Sequence, residues 1–204
     1  MASILQNLRN TVIAGFVLTI VMILIVAGGT SQGVPGGDIK WISFFFRWLH
    51  VLSGVMWIGL LWYFNFVQIP SMPKIPDEQK PAIGKVIAPA ALFWFRWAAM
   101  ATIVTGIILA WLSGYLVDAY TLGAVGGFKN PQSIAIGVGM WLATIMWFNV
   151  WFVIWPNQQK ALGMVQVDAD AKAKAARMAM LFSRTNTMLS IPMLYAMVSA
   201  QNIY

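Results

Sequence analysis

The chain contains one histidine, His50, placed inside an apolar stretch that runs from Trp41 to Pro70 (WISFFFRWLHVLSGVMWIGLLWYFNFVQIP), one turn after Arg47. Steps of three and four residues return to the same face of a helix, so Arg47, His50, Gly54, Trp57, Leu61 and Asn65 share one stripe. That stripe carries a cation, an imidazole, a position without a side chain and an indole. Ionisable groups at membrane depth are costly and face a protein interior or a cofactor, which makes this face the functional candidate. Two readings stand side by side. In the plainer one the imidazole hydrogen-bonds a carbonyl or hydroxyl of a neighbouring helix. In the sharper one it is an axial ligand to haem iron, with Gly54 as clearance for a flat macrocycle, Trp57 stacking beneath it and Arg47 pairing with a propionate.

Two more arginines, Arg96 and Arg184, lie within apolar stretches. They read either as lipid-phosphate or helix-end contacts, or as an anion or quinone pocket lined also by Thr185, Asn186 and Thr187. Met140, Thr144, Trp147, Trp151 and Trp155 form a further stripe, read as helix packing or as an aromatic wall beside a pigment. The 13 methionines are scattered, without the tight spacing of a Cu(I) site. With one histidine, ligation of a haem by two histidines of the same chain is excluded, so a second axial ligand is a methionine, a lysine, water or a histidine of another subunit.

These residues need a membrane scaffold. Of 204 residues, 60% are hydrophobic and 9% charged, where soluble domains average about a quarter charged. The pattern predicts an all-α integral membrane bundle of one domain, 1–204, with five spans at about 11–29, 41–69, 97–117, 134–155 and 179–200. The first span reads as an uncleaved anchor, the Gly/Pro-rich GGTSQGVPGGD after it as a surface loop, and DAYTLGAVGGFKNPQS as a plain turn. Pro70 and Pro156 are read as ends of spans, Pro89 as a disturbance ahead of the third and Pro192 as a kink in the fifth. Asp168 or Asp170 caps a helix that continues unbroken into that fifth span.

Eight basic residues, Arg9, Lys74, Lys80, Lys85, Lys160, Lys172, Lys174 and Arg177, fall on one side of this arrangement, against Lys40 and Lys129 on the other. The positive-inside rule then puts the amino terminus in the cytoplasm and the carboxyl terminus in the periplasm, and it accounts for the net charge of +7 without a nucleic-acid partner. Helical rise sets Arg47 and His50 roughly 10–14 Å below Trp41, in the outer leaflet, with Arg96 and Arg184 near the inner boundary. All six acidic residues lie in loops, which disfavours a carboxylate-driven transporter. The absence of cysteine excludes disulfides, iron–sulfur clusters and covalently attached haem.

At WLHVLSGVMWIGLLWYFNFVQIP, IAPAALFWFRWAAMATIVTGIILAW, GVGMWLATIMWFNVWFVIWPNQQKAL and MLFSRTNTMLSIPMLYAM the sequence resembles the membrane domain of the bacterial cytochrome-c-fused urate oxidases (PuuD-type, urate oxidase N-terminal family). The shorter W-[IL]-H-V theme also looks like HemJ-type protoporphyrinogen oxidases and CopD-type copper proteins. The resemblance implies a bacterial inner-membrane, multi-pass redox module in a short form without the cytochrome domain. It implies haem b as cofactor, with the family's helix histidine on His50 and its membrane arginines on Arg47, Arg96 and Arg184. A quinone or a separate cytochrome c would be its electron partner, beside other membrane subunits or further copies of the chain. The rival expectation is a non-catalytic accessory subunit of a larger membrane complex.

Overall fold

In the computed structural model the described residues are 2–29 and 36–204, and all their regular structure is helical. Most of the expected Gly/Pro-rich loop, residues 30–35, lies outside the described residues. The chain divides into two compact units, Met1–Phe44 and Phe45–Tyr204. The first is dominated by α1 (Leu8–Gly29), whose start is capped by Asn7, with Oδ1 accepting from the Arg9 and Asn10 amides at 3.0 and 3.3 Å. Of α1 only Ala27 is buried, and many of its large apolar side chains are exposed, as suits a helix that meets lipid.

The second unit holds α2 (Ile39–Trp62, whose first turn belongs to the first unit), α3 (Ala88–Leu112), the short α4 (Leu116–Tyr120), α5 (Pro131–Phe148) and α6 (Ala169–Asn202). Four stretches are long and apolar enough to cross a membrane: Leu8–Gly29, Ile39–Lys74, Lys80–Leu112 and Pro131–Ala161. The helix α6, at 34 residues, is long enough as well but carries Lys172, Lys174, Arg177 and Arg184 among Ser, Thr and Asn, which lowers its mean hydropathy. Asp168 caps it as expected, with Oδ1 accepting from the Ala171 amide at 2.7 Å, and it runs unbroken through Pro192.

Pro70 and Pro156 do not end their helices, and the disturbance expected near Pro89 is a π-helical turn. Chains of helix pass through Pro70, Pro89 and Pro156, and each is preceded by a π-helical turn: Tyr63–Gln68, Ile83–Ile87 and Asn149–Ile154. A proline ring clashes with the carbonyl four residues back and donates no hydrogen bond. Widening the preceding turn relieves that clash, and the axis continues. The third apolar helix therefore starts at Lys80 and ends at Leu112, where Gly114 turns the chain with φ +78°, instead of running from 97 to 117. Arg96 accordingly lies in its middle.

DAYTLGAVGGFKNPQS is more than a plain turn. Residues 116–120 are helical, Ala119 is fully buried against α5, and the tight turns after it are held by Asp118, whose Oδ1 accepts from the Gly126 amide at 2.8 Å. Asn130 then caps α5 through the Gln132 and Ser133 amides.

Packing in this unit is set by α6. Its buried face is Ala175, Ala179, Ser183, Asn186, Ser190, Met193, Ala196 and Ala200, all but Met193 small or polar, at steps of three and four, and it lies along α5 and the helical stretch beyond. Asn186, fully buried, donates to the Met146 carbonyl at 2.9 Å and accepts from Asn149 at 2.8 Å. Ser183 accepts from Asn65 at 2.8 Å and Ser190 from Trp62 at 3.0 Å. Around these bonds sits the core: Trp57, Leu61, Phe64, Phe95, Ala99, Met146, Val150 and Ile154.

Candidate functional site

Toward the amino end of α2 the same helices stand apart and enclose a cavity of about 740 Å³, within the size range of cofactor and ligand sites. Arg47, His50, Gly54 and Trp57 of α2 all line it, so the structure brings together four of the six residues singled out by the spacing. The opposite walls come from Thr102 and Gly106 of α3, Met140 and Ala143 of α5, and Met193 and Met197 of α6.

His50 is fixed from α3. Its Nδ1 lies 2.9 Å from the Thr102 carbonyl oxygen, and a carbonyl only accepts, so Nδ1 carries the proton. The Thr105 hydroxyl is 3.5 Å from the same nitrogen, with its own proton donated to the Ala101 carbonyl at 2.6 Å. The bonded partner of one ring nitrogen sets the state of the other, so Nε2 is left as a bare lone pair. Gly106 makes the arrangement sterically workable: a Cβ there would come within 2.8 Å of His50 Cε1. Thr102, Thr105 and Gly106 were not legible as site residues. Their only mark in the sequence is the clustering of small and hydroxyl residues in ATIVTG, a pattern equally suited to plain helix packing.

The polar end of the cavity is formed by Arg47, Tyr115, Gln201 and Asn202. Arg47 donates through Nη1 to Gln201 Oε1 at 2.7 Å and leaves further donors for a ligand. Tyr115 lies just beyond α3. Burial pushes its phenol above the ordinary tyrosine value, with Arg47 pulling weakly the other way, so it stays a neutral donor and acceptor at physiological pH. At the apolar end Trp57 is fully buried, and its Nε1 has no partner. Gly54 provides clearance: a Cβ there would meet only the Thr102 methyl, at 4.0 Å.

Arg96 and Arg184 do not line this cavity. Arg96 lies flat on Trp155, 3.2 Å from the ring centroid, with Nε and Nη1 shielded and without acceptors, while Arg184 lies on the exposed side of α6. Of the α5 stripe only Met140 reaches the cavity. Trp147 packs edge-on to Phe152 and Trp151 edge-on to Trp97, so the tryptophans act in helix packing. Among the described residues no cluster of three or more His, Cys, Asp or Glu could hold a bare metal ion.

A family model described as urate oxidase N-terminal matches residues 124–203, which span the loop before α5, α5 itself and α6. No curated protein and no solved structure matches the chain. The matched segment supplies the Met140, Met193, Met197 and Gln201 side of the cavity, and His50 stands opposite it on α2. Over these two long helices, which build this wall, the chain is similar to the urate oxidase N-terminal family.

Proposed function

We propose that the chain is a multi-pass redox module of a bacterial inner membrane, with five crossings, the amino terminus inside and haem b held in the cavity. Support for the topology comes from the basic residues, eight on one side against two on the other, with α6 as the fifth crossing. The single observation that carries the cofactor reading is the cavity of about 740 Å³ that Arg47, His50, Gly54 and Trp57 line together. The bond from His50 Nδ1 to the Thr102 carbonyl is the one the plainer reading expects, and it leaves Nε2 for a ligand. A backbone carbonyl on one ring nitrogen is the usual way of orienting an imidazole whose other nitrogen binds a metal.

The residues present fit such a group. His50 would hold the iron through Nε2, and Arg47 would pair with a propionate at the polar end. Gly54 would leave room for the ring against α2, while Trp57 and Ile58 close the apolar end against water. Met140, Met193 and Met197 are the thioethers on the facing walls and would offer the iron a soft ligand. Bound haem would supply one-electron chemistry. The chain's own part is to set the axial ligand, neutralise the propionate and keep the site dry, the levers by which a protein tunes a haem potential. Arg96, with donors free beside Trp155 midway along its helix, is better placed than Arg184 for a quinone carbonyl or another anion. A separate cytochrome c is the alternative electron partner.

The test is a reduced-minus-oxidised spectrum of the protein purified in mild detergent. A b-type signal that disappears in His50→Ala, in a variant that still runs as folded protein, is the expected result. A colourless wild-type preparation that co-purifies with other membrane subunits would overturn it in favour of an accessory role.

A further inference from the structure

The cavity has a side opening that its polar end does not explain. Along α2, Val51, Val55, Gly59 and Trp62 follow at steps of three and four, and each both lines the cavity and faces outward. Val51 is 55% and Val55 69% exposed. Across from them on α6, Leu194 and Val198 line the cavity, with Val198 61% exposed. A residue that is at once cavity wall and outer surface marks the edge of an opening. These residues therefore frame a slit between α2 and α6.

Hydrogen bonds close the slit at each end. Arg47 donates to Gln201 at one end and the Trp62 indole to Ser190 at the other, at 2.7 and 3.0 Å. Between Arg47 and Trp62 lie roughly 22 Å of α2, and between Ser190 and Gln201 roughly 16 Å of α6. The side chains that frame the slit, Val51, Val55, Leu194 and Val198, are aliphatic, so its rim offers no polar group to hold water and nothing that would repel an acyl chain. Its direction is sideways, from the helix surface inward. The polar end, by contrast, holds a guanidinium that has an amide oxygen as its partner and spare donors for an acid.

We infer that the cavity is loaded from the lipid phase, through the slit between α2 and α6, by an amphiphile whose acidic group comes to rest on Arg47 while its apolar body fills the space behind Val55 and Val198. This rests on the reading of the cavity as a ligand site, but not on the ligand being haem.

The experiment mixes donor vesicles carrying haem b with liposomes that hold the apoprotein and follows the Soret band in time. Val55→Trp with Val198→Trp, which fills the slit, is expected to slow loading on the order of tenfold. Val55→Ala with Val198→Ala widens it and should speed loading. Val104→Trp with Phe152→Trp, on outward-facing positions away from the cavity, should not change the rate. Wild-type rates in both slit variants would overturn the inference while leaving the haem assignment intact. If the wild type takes up no haem, the haem assignment fails alone, and the same vesicles are loaded with cis-parinaric acid, an acidic polyene that fluoresces in apolar sites. Uptake that is slowed by the tryptophan pair and weakened by Arg47→Gln sustains the slit. Absent uptake, or uptake indifferent to the pair, removes it.

Discussion

The same helices close tightly in one half of the second unit and stand apart in the other. Around Trp57, Phe95, Met146 and Asn186 they interlock, whereas around His50 they leave about 740 Å³. Hydrophobicity does not separate the halves, since both are lined with aliphatic and aromatic residues. What differs is α6. It offers Ser183, Asn186 and Ser190 to the packed half and Met193, Leu194, Met197 and Val198 to the other. In a bilayer, apolar contact between helices gains little over contact with lipid tails, so small side chains and interhelical hydrogen bonds decide where helices meet. Ala196 and Ala200 continue the close packing of α6 on α5, but the interhelical bonds from α2 to α6 stop at Ser190 until Arg47 reaches Gln201. Between them the cavity opens, with the ring of His50 spanning the space between α2 and α3.

The contrast can be broken most severely with glycines. A Cβ at Gly137 would overlap the Ala119 carbonyl oxygen, a backbone atom that cannot step aside. Gly137→Ala should thus force α4 off α5 and destabilise by about 3 kcal/mol or more, read as a lowered midpoint of thermal unfolding in detergent. Asn186→Leu comes next. It keeps the volume but strips Asn149 and the Met146 carbonyl of a partner, at a cost of about 2 kcal/mol. The double variant with Asn149→Leu should regain part of that loss, because no buried donor is then left unsatisfied.

Gly106→Ala is the matching probe in the open half. Its new methyl would come within 2.8 Å of His50 Cε1, as tight a clash as many in a core, yet the ring borders free space and can swing away. Stability should fall by less than about 1 kcal/mol. The ring would nevertheless leave the Thr102 carbonyl, so the His50-dependent haem signal should weaken on the order of tenfold or more. A large loss of stability with an unchanged signal would show that this half is as rigid as the other.

How much of this could be read beforehand follows the same division. The α2 stripe was legible because Arg47, His50, Gly54 and Trp57 belong to one helix, and period alone puts them on one face. The Asp168 cap and the unbroken α6 were legible for the same local reason. The π turns were not. Pro70, Pro89 and Pro156 announce a conflict in the ladder, but whether the helix ends or widens depends on the tertiary contacts that hold its far side. Nor was the setting of His50 legible. Thr102 and Gly106 come from another helix, and no spacing within either helix specifies the register between them. Nor was the seat of Arg96 legible, since the indole that holds it, Trp155, comes from the helical stretch beyond α5.

The finest test sits on the border of the two halves. The Trp62 indole donates to Ser190 as the last interhelical bond of the packed half and also as one end of the slit. Trp62→Phe removes the donor and leaves Ser190 bonded to the Thr187 carbonyl at 2.7 Å, so no buried group is orphaned. The loss of stability should be only about 0.6 kcal/mol, the typical worth of such a bond between membrane helices. If the halves are independent, haem loading stays at its wild-type rate. If closure of the packed half sets the width of the slit, loading accelerates out of proportion to the small change in stability, and the cavity is then held open by the same hydrogen bonds that stop the helices from closing over it.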